Sequence, residues 1–247
     1  MGMGRGSQYI DPMPTAAWLQ RLTLAPPGRC AVCGAWPAQP VCGACTRRFA
    51  RARPRCRRCA LPVPEGVDAC GACLREPPPL DACYAAVSYA YPWSGLVARF
   101  KFQAEPGWAA TLAGLIARVP GVPAAVAGAD LVLPMPLTPA RLARRGFNQS
   151  LQLARSLAGR RVEPDLLLRL RETASQATLD RAGRKANVRG AFGVDPLRHD
   201  NVRGHTMLLV DDVMTSGASL YAAATALRQA GAARVTAVVL ARTDEPH

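Results

Sequence analysis

Lysine is nearly missing from this chain: among 31 lysines and arginines only Lys101 and Lys185 are lysines. Neither follows a glycine, so the G-x-x-x-x-G-K-[ST] loop that cradles nucleoside triphosphates is excluded. Histidine is almost as scarce. His199, His205 and His247 match no catalytic spacing and are expected to be surface or turn residues, and no general base is evident. Long apolar runs are lacking too. The most apolar stretch, residues 109–133, is broken by Arg118, Pro120, Pro123 and Asp130, which a bilayer-spanning helix would not tolerate. Residues 1–29 carry only Trp18-Leu19 and Leu22 where a secretory signal would need an apolar core, so a cytoplasmic protein is expected.

Cysteine, by contrast, is patterned. Cys30/Cys33, Cys42/Cys45, Cys56/Cys59 and Cys70/Cys73 make four successive C-x-x-C knuckles and use eight of the nine cysteines. Two knuckles can close one tetrahedral thiolate cage around zinc. The simplest pairing is sequential, with Cys30, Cys33, Cys42 and Cys45 in one site and Cys56, Cys59, Cys70 and Cys73 in the other; an interleaved pairing stays open. A disulfide framework is disfavoured in a chain without a secretory signal. Cys83 stands outside the pattern and is expected to be a small buried apolar residue.

The formal charge is +14, and two filled four-thiolate sites would lower it to about +10, still basic enough to attract phosphorylated partners. Arg47, Arg48, Arg51, Arg53, Arg55, Arg57 and Arg58 crowd one twelve-residue segment. A contact with nucleic acid or anionic lipid and a merely solvated face are both open for it. Four divisions are expected: an N-terminal extension (1–29), a double zinc ribbon (30–76), a Pro-rich linker (77–81) and a larger domain (82–247). Seven of the fourteen aromatics, Tyr84, Tyr89, Tyr91, Trp93, Phe100, Phe102 and Trp108, open that domain, most of them suited to packing under a sheet.

Three segments of the larger domain carry chemistry. Met207 to Val210 reads as a strand buried on both faces and delivers Asp211 and Asp212 to its carboxyl end, where open α/β sheets bind ligands. Paired carboxylates there suit ribose hydroxyls and magnesium. Thr215, Ser216, Gly217, Ala218 and Ser219 then supply backbone N–H groups and hydroxyls for a phosphate at a helix N-terminus. The helix follows, with Leu220, Ala223, Ala224 and Leu227 on one stripe and Gly231 as its stop. A second strand, Asp130–Leu137, runs into a turn with Arg141, Arg144 and Arg145 behind it, suited to a pyrophosphate leaving group or simply a strand-to-helix connection. The third segment, residues 171–189, is a polar stretch too long for an ordinary connection; its position between two core strands favours a lid. The last expected strand, Arg234–Ala241, leaves no hood after it, so acceptor recognition is expected within residues 82–128 or in the ribbons.

The run from Thr206 to Leu220 resembles the phosphoribosyl-pyrophosphate (PRPP) loop of type I phosphoribosyltransferases. With the four knuckles, Arg145-Gly146-Phe147-Asn148-Gln149 and the spaced Thr173, Gln176, Leu179, Arg184, Asn187 and Phe192, the chain resembles the ComF family over nearly its whole length. Departures are mild: Ser216 and Ser219 stand where threonine is commoner, and Lys185 where a second arginine is frequent. The resemblance implies an α/β fold with a mostly parallel sheet flanked by helices, preceded by a small double zinc-ribbon domain. It implies two structural zinc ions, PRPP with magnesium, and a phosphoribosyl transfer in which Asp211 and Asp212 hold the ribose diol and magnesium, residues 215 to 219 the 5-phosphate, and Pro136, Leu137 and Thr138 with Arg141 or Arg145 the pyrophosphate, over which Arg184 and Lys185 close. It also implies a role in natural transformation, handling single-stranded DNA with the uptake machinery at the inner membrane. The alternatives are a non-catalytic DNA-binding competence factor and a nucleobase-salvage enzyme.

Overall fold

The computed structural model describes residues 28–103, 105–171 and 190–244, and internal contacts divide the chain between Cys42 and Gly43. Ahead of that division, Gly28 and Ala38 exchange backbone hydrogen bonds of 3.2 and 2.8 Å, and the Gly34 N–H donates to the Cys30 carbonyl at 2.8 Å. Gly34 turns there at φ +74°, a conformation glycine adopts without strain.

The second unit opens with two short helices, α1 (Gly43–Phe49) and α2 (Gly71–Arg75). Then come β1 (Ala82–Ser88), α3 (Trp93–Phe102), α4 (Trp108–Ala117), α5 (Val122–Ala127), β2 (Leu131–Pro134), α6 (Pro139–Arg145) and α7 (Gln149–Ala158). The chain continues through β3 (Leu167–Arg169), β4 (Phe192–Val194), β5 (Thr206–Met214), α8 (Ala218–Gln229) and β6 (Arg234–Arg242). Four strands make one parallel sheet in the order β1-β6-β5-β2, while β3 and β4 pair as a separate antiparallel ribbon.

Burial explains the sequence of each strand. In β5 Met207 to Val210 are all buried, and in β6 every residue after Arg234 is buried, because both strands are central and covered on two faces. Edge strand β1 instead alternates, with Cys83, Ala85 and Val87 inward. One face of the sheet, through Cys83, Ala85, Leu209, Ala237 and Val239, meets Leu220, Ala223, Ala224 and Leu227 of α8. Helices α4 and α7 pack on the sheet from elsewhere in the unit, α7 against β2 and β5 and α4 against β1 and β6. Cys56, Cys59, Ala60 and Cys73 belong to the same apolar cluster as α8, so the second pair of knuckles is packed as core. Leu80 is 1% exposed in that cluster, and its carbonyl accepts from Arg58 Nη1 at 2.9 Å.

The strand expected to end at the acids runs on through both of them to Met214. The helix after it begins at Ala218 and buries the four stripe residues expected of it, and Gly231 follows its end at φ +90°. Trp93, Phe100 and Trp108 are buried, whereas Tyr91 and Phe102 are exposed. Among the described residues no helix is long and apolar enough to cross a membrane.

Candidate functional site

Parallel pairing of β2 with β5 sets Pro134 beside Val210, and the Met135 N–H donates to the Val210 carbonyl at 2.9 Å. The turn Pro136–Thr138 therefore starts alongside Asp211. Thr138 is buried and caps α6, its Oγ1 accepting from the Arg141 N–H at 3.4 Å. The Arg145-Gly146-Phe147-Asn148-Gln149 run is a helix-to-helix junction: α6 stops at Gly146 with φ +77°, and α7 starts on Asn148, whose Oδ1 accepts from the Leu151 N–H at 3.2 Å. Asn148 Nδ2 also donates to the Met135 carbonyl at 3.1 Å, tying the junction to the end of β2.

This junction delivers side chains to the acids. Ser150 Oγ donates to Asp211 Oδ1 at 2.9 Å, and the same oxygen accepts from the Asp212 N–H at 2.9 Å. Burial, reinforced by the adjacent Asp212 charge and opposed by Lys101, pushes the Asp211 carboxyl up to about 7. Asp212, itself buried, is held at 2.8 Å by Lys101 Nζ from α3. Arg145 is half-buried; burial lowers its basicity while Asp212 raises it, which places the guanidinium within the field of the acids. It donates to Gln149 Oε1 at 3.1 Å and lies over the Phe102 ring at 5.5 Å. Two buried donors here, Arg145 Nε and Gln149 Nε2, have no hydrogen-bond partner among the described residues. Such orphans are rare in folded proteins and mark where a ligand's acceptor atoms fit.

Past the acids, Ser216 Oγ accepts from the Ala218 N–H at 3.4 Å, and Gly217 caps α8 at φ +82°. A side chain at Gly217 would sit 2.5 Å from Met214 Cε and 2.6 Å from Tyr221 Cζ. Glycine is thus required by the turn itself, apart from any phosphate. Thr215 and Ser219 complete the loop. Arg184 and Lys185, with Thr173, Gln176, Leu179 and Asn187, lie outside the described residues. Lys101 and Ser150 are the site residues not singled out from sequence. Lys101 had a signal: in a chain so depleted of lysine, one retained between two aromatics marks a position where a compact point charge is needed.

The cysteines form two clusters, Cys30/Cys33/Cys42/Cys45 and Cys56/Cys59/Cys70/Cys73, each with its sulfurs within 4.8 Å of one another. Sulfur pairs at 3.7 Å (Cys33 and Cys42) and 3.6 Å (Cys59 and Cys70) match the separation of about 3.8 Å that tetrahedral zinc imposes at ~2.3 Å per bond. Burial raises the Cys30 thiol, but N–H groups of Cys42, Cys33 and Val32 outweigh it and bring it down to about 6. Cys56 follows suit, burial opposed by N–H groups of Cys70, Arg58 and Cys59, at about 7. Backbone donors aimed at sulfur are what thiolate ligands need, so the donor sets fit structural zinc, with sequential pairing. None of the nine cysteines forms a disulfide; Cys83 is buried against Met214 as a small apolar residue.

The arginine-rich segment is less open than its composition suggests. Arg53 pairs with Asp244 at 2.9 Å and bonds Ser88 Oγ at 2.9 Å; Arg55 donates to the Ala60 carbonyl at 2.9 Å and to Ser88 Oγ at 3.1 Å. With Arg58 held by Leu80, three of the seven arginines work inside the fold.

Metal analysis of the purified chain should return close to two zinc ions per chain, one for each cluster, and a value near one would contradict it. The acid pair makes a separate prediction. A carboxyl whose pKa is raised on folding binds its proton more tightly in the folded state, so its ionisation removes stability as pH rises from about 4 to about 7. The urea midpoint of the parent should therefore fall more steeply across that range than that of Asp211→Asn, and parallel profiles would contradict the raised Asp211 carboxyl.

Comparison with known proteins bears on both sites. Residues 142–247 match the family described as the phosphoribosyl transferase domain, and residues 22–74 match the double zinc ribbon domain. The chain is 32% identical over 241 residues to the DNA utilization protein YhgH of Escherichia coli K12, spanning 94% of this chain and 98% of that protein. It is 34% identical to the YhgH protein of Salmonella typhi over the same shares. Competence protein F of Haemophilus influenzae is 29% identical over 208 residues, 82% of this chain and 90% of that protein. With relatives 32% and 34% identical over nearly the whole of both chains, and matches to a phosphoribosyl transferase domain and a double zinc ribbon domain, the chain belongs to the ComF family.

Proposed function

We propose that the phosphoribosyltransferase-like domain binds PRPP with magnesium at the carboxyl ends of β2 and β5 and transfers its ribosyl 5-phosphate group to an acceptor. The observation that carries this proposal is the convergence of Asp211, Asp212, Lys101 and Arg145 immediately ahead of the α8 N-terminus. Asp211 and Asp212 hold the ribose diol and order magnesium, Asp212 exchanging its Lys101 partner for the ligand. Thr215 to Ser219 take the 5-phosphate on backbone N–H groups at the start of a twelve-residue helix. Pro136, Leu137 and Thr138, with Arg141 or Arg145, take the pyrophosphate; Arg184 and Lys185 are assigned to it by sequence pattern. The C1–oxygen bond breaks with inversion through an oxocarbenium-like state, and pyrophosphate leaves with the bonding pair as the arginines stabilise its growing charge. Phe102, exposed beside Lys101, is a stacking surface for an acceptor base.

The names of the relatives, competence protein and DNA utilization protein, support a role in DNA handling. A second reading, single-stranded DNA binding on the cytoplasmic side of the inner membrane, is favoured by a cavity of about 480 Å³ lined by Arg51, Arg53, Arg55, Arg57 and Arg118 beside Tyr84.

Calorimetry should show PRPP with magnesium binding the parent and at least about tenfold weaker binding to Asp211→Asn/Asp212→Asn, since hydrogen bonds to charged acceptors are lost. Asparagine keeps the side-chain volume and an acceptor oxygen beside Lys101, which alanine would remove. Equal affinity in the folded double variant would rule the site out, and exchange of labelled pyrophosphate into PRPP would report turnover. For DNA, Arg51→Gln/Arg57→Gln/Arg118→Gln should flatten the logarithmic salt dependence by about 2, at about 0.7 for each phosphate no longer neutralised, while sparing Arg53 and Arg55, which hold the fold. An unchanged slope would make the cavity a solvated face.

A further inference from the structure

The last residue of β6, Arg242, is 2% exposed, and among the described residues it has no ion-pair partner. Its guanidinium is instead surrounded by carbonyls from three directions. Nε donates to the Cys59 carbonyl at 3.0 Å; Nη1 donates to the Met214 carbonyl at 3.2 Å, to the Thr215 carbonyl, and to the Thr243 carbonyl at 2.7 Å. Cys59 is a ligand position of the second four-cysteine cluster, whereas Met214 and Thr215 open the loop between the acids and Gly217. One buried side chain thus joins the zinc knuckle to the phosphate loop. The connection is reinforced locally. Thr243 donates its N–H to the Met214 carbonyl at 3.1 Å and its hydroxyl to the Thr215 carbonyl at 3.4 Å. Cys83 Sγ lies 3.7 Å from Met214 Sδ. Cys73, Ser216, Ala218 and Tyr221 also line one cavity of about 560 Å³, so knuckle and loop share a wall as well as a bridge.

We infer that the second four-cysteine centre is the footing of the phosphate loop, and that Arg242 is the positioning residue that transmits its order to Met214 and Thr215. A buried guanidinium without a carboxylate is stable only where its donors are met and an opposite charge is near. Carbonyls meet the Nε and Nη1 donors, and a four-thiolate zinc site would carry a net charge of about −2 on the Cys59 side. When the knuckle is filled, the Cys59 carbonyl is fixed and Arg242 holds the carbonyls of Met214 and Thr215, turning the following N–H groups toward the mouth of α8. When it is empty, Arg242 loses both its fixed acceptor and its counter-charge, and the loop loses its anchor. Coupling of this kind is reciprocal: whatever orders the loop must also tighten zinc binding at the second centre. This deepens the proposed phosphate site, but the coupling is measurable without PRPP.

The test uses the full-length protein with both zinc ions bound. Hydrogen exchange of residues 214–219 and zinc release to a chromogenic chelator are measured for the parent, Arg242→Met and Arg242→Lys. In Arg242→Met, exchange across 214–219 should accelerate about tenfold or more, while Leu220 to Leu227 in α8 keep their protection. One zinc of the two should leave faster and the other at the parental rate. Arg242→Lys, which keeps the charge but cannot reach both Cys59 and Thr215, should recover zinc retention more than loop protection. Should Arg242→Met not fold, Cys70→Ser in the parent background must raise exchange at 214–219, and Cys33→Ser must leave it unchanged. Parental loop exchange in Arg242→Met, equal effects on both zinc ions, or a loop indifferent to Cys70→Ser would overturn the inference. A protein that shows this coupling yet binds no PRPP would retain it and lose only the ligand proposed above.

Discussion

Two adjacent carboxylates near the end of a buried strand repel one another and lose hydration together, and the surrounding fold is arranged to offset that cost. Lys101 comes from α3, Ser150 from the first turn of α7, and Arg145 from the end of α6, so three helices with no other common purpose converge on Asp211 and Asp212. The compensation is incomplete. Asp211 is still pushed up to about 7, and Arg145 Nε and Gln149 Nε2 have no partner among the described residues. Cations in contact with destabilised acids, and donors left without a partner nearby, support the proposed ligand, one that would bring both negative charge and a metal ion.

The loop beyond the acids depends on a second kind of support. Gly217 is fixed by the crowding of Met214 and Tyr221, and Met214 and Thr215 are held from behind by Arg242. The knuckle that supplies the Cys59 carbonyl is itself part of the apolar cluster shared with α8 and β6. The second pair of knuckles, which looks like part of an appended module in sequence, is thereby packed into the same core as α8, which on the inference above gives its ligands a reason to be present although the proposed transfer chemistry needs no zinc.

Much of this was legible in residue spacing. The C-x-x-C repeats dictated two tetrahedral cages because zinc chemistry tolerates few alternatives, and the β5–turn–α8 unit showed through because a continuous apolar run, a small-residue turn and a 3.6-residue stripe are all local signals. What stayed hidden was tertiary. Nothing in the spacing of Arg53, Arg55 and Arg58 reveals that Asp244, Ser88, Ala60 and Leu80 occupy them. Arg242 reads as an ordinary strand terminus. The Arg145–Gln149 run was recognised as a motif, yet its work as a junction that caps two helices and points Gln149 and Ser150 inward appears only once α6 and α7 are placed. Lys101 lies more than a hundred residues from Asp212, beyond any pattern that a helix or strand repeat can report.

The central claim, that the acid pair at the end of β5 binds a sugar phosphate together with a divalent cation, is tested most directly by electron paramagnetic resonance with manganese in place of magnesium. In the parent protein the free-manganese signal should fall when PRPP is added, beyond the fall that PRPP alone produces, and in Asp211→Asn/Asp212→Asn that additional loss should vanish while the protein stays folded. An additional loss of the same size in parent and variant would contradict the account.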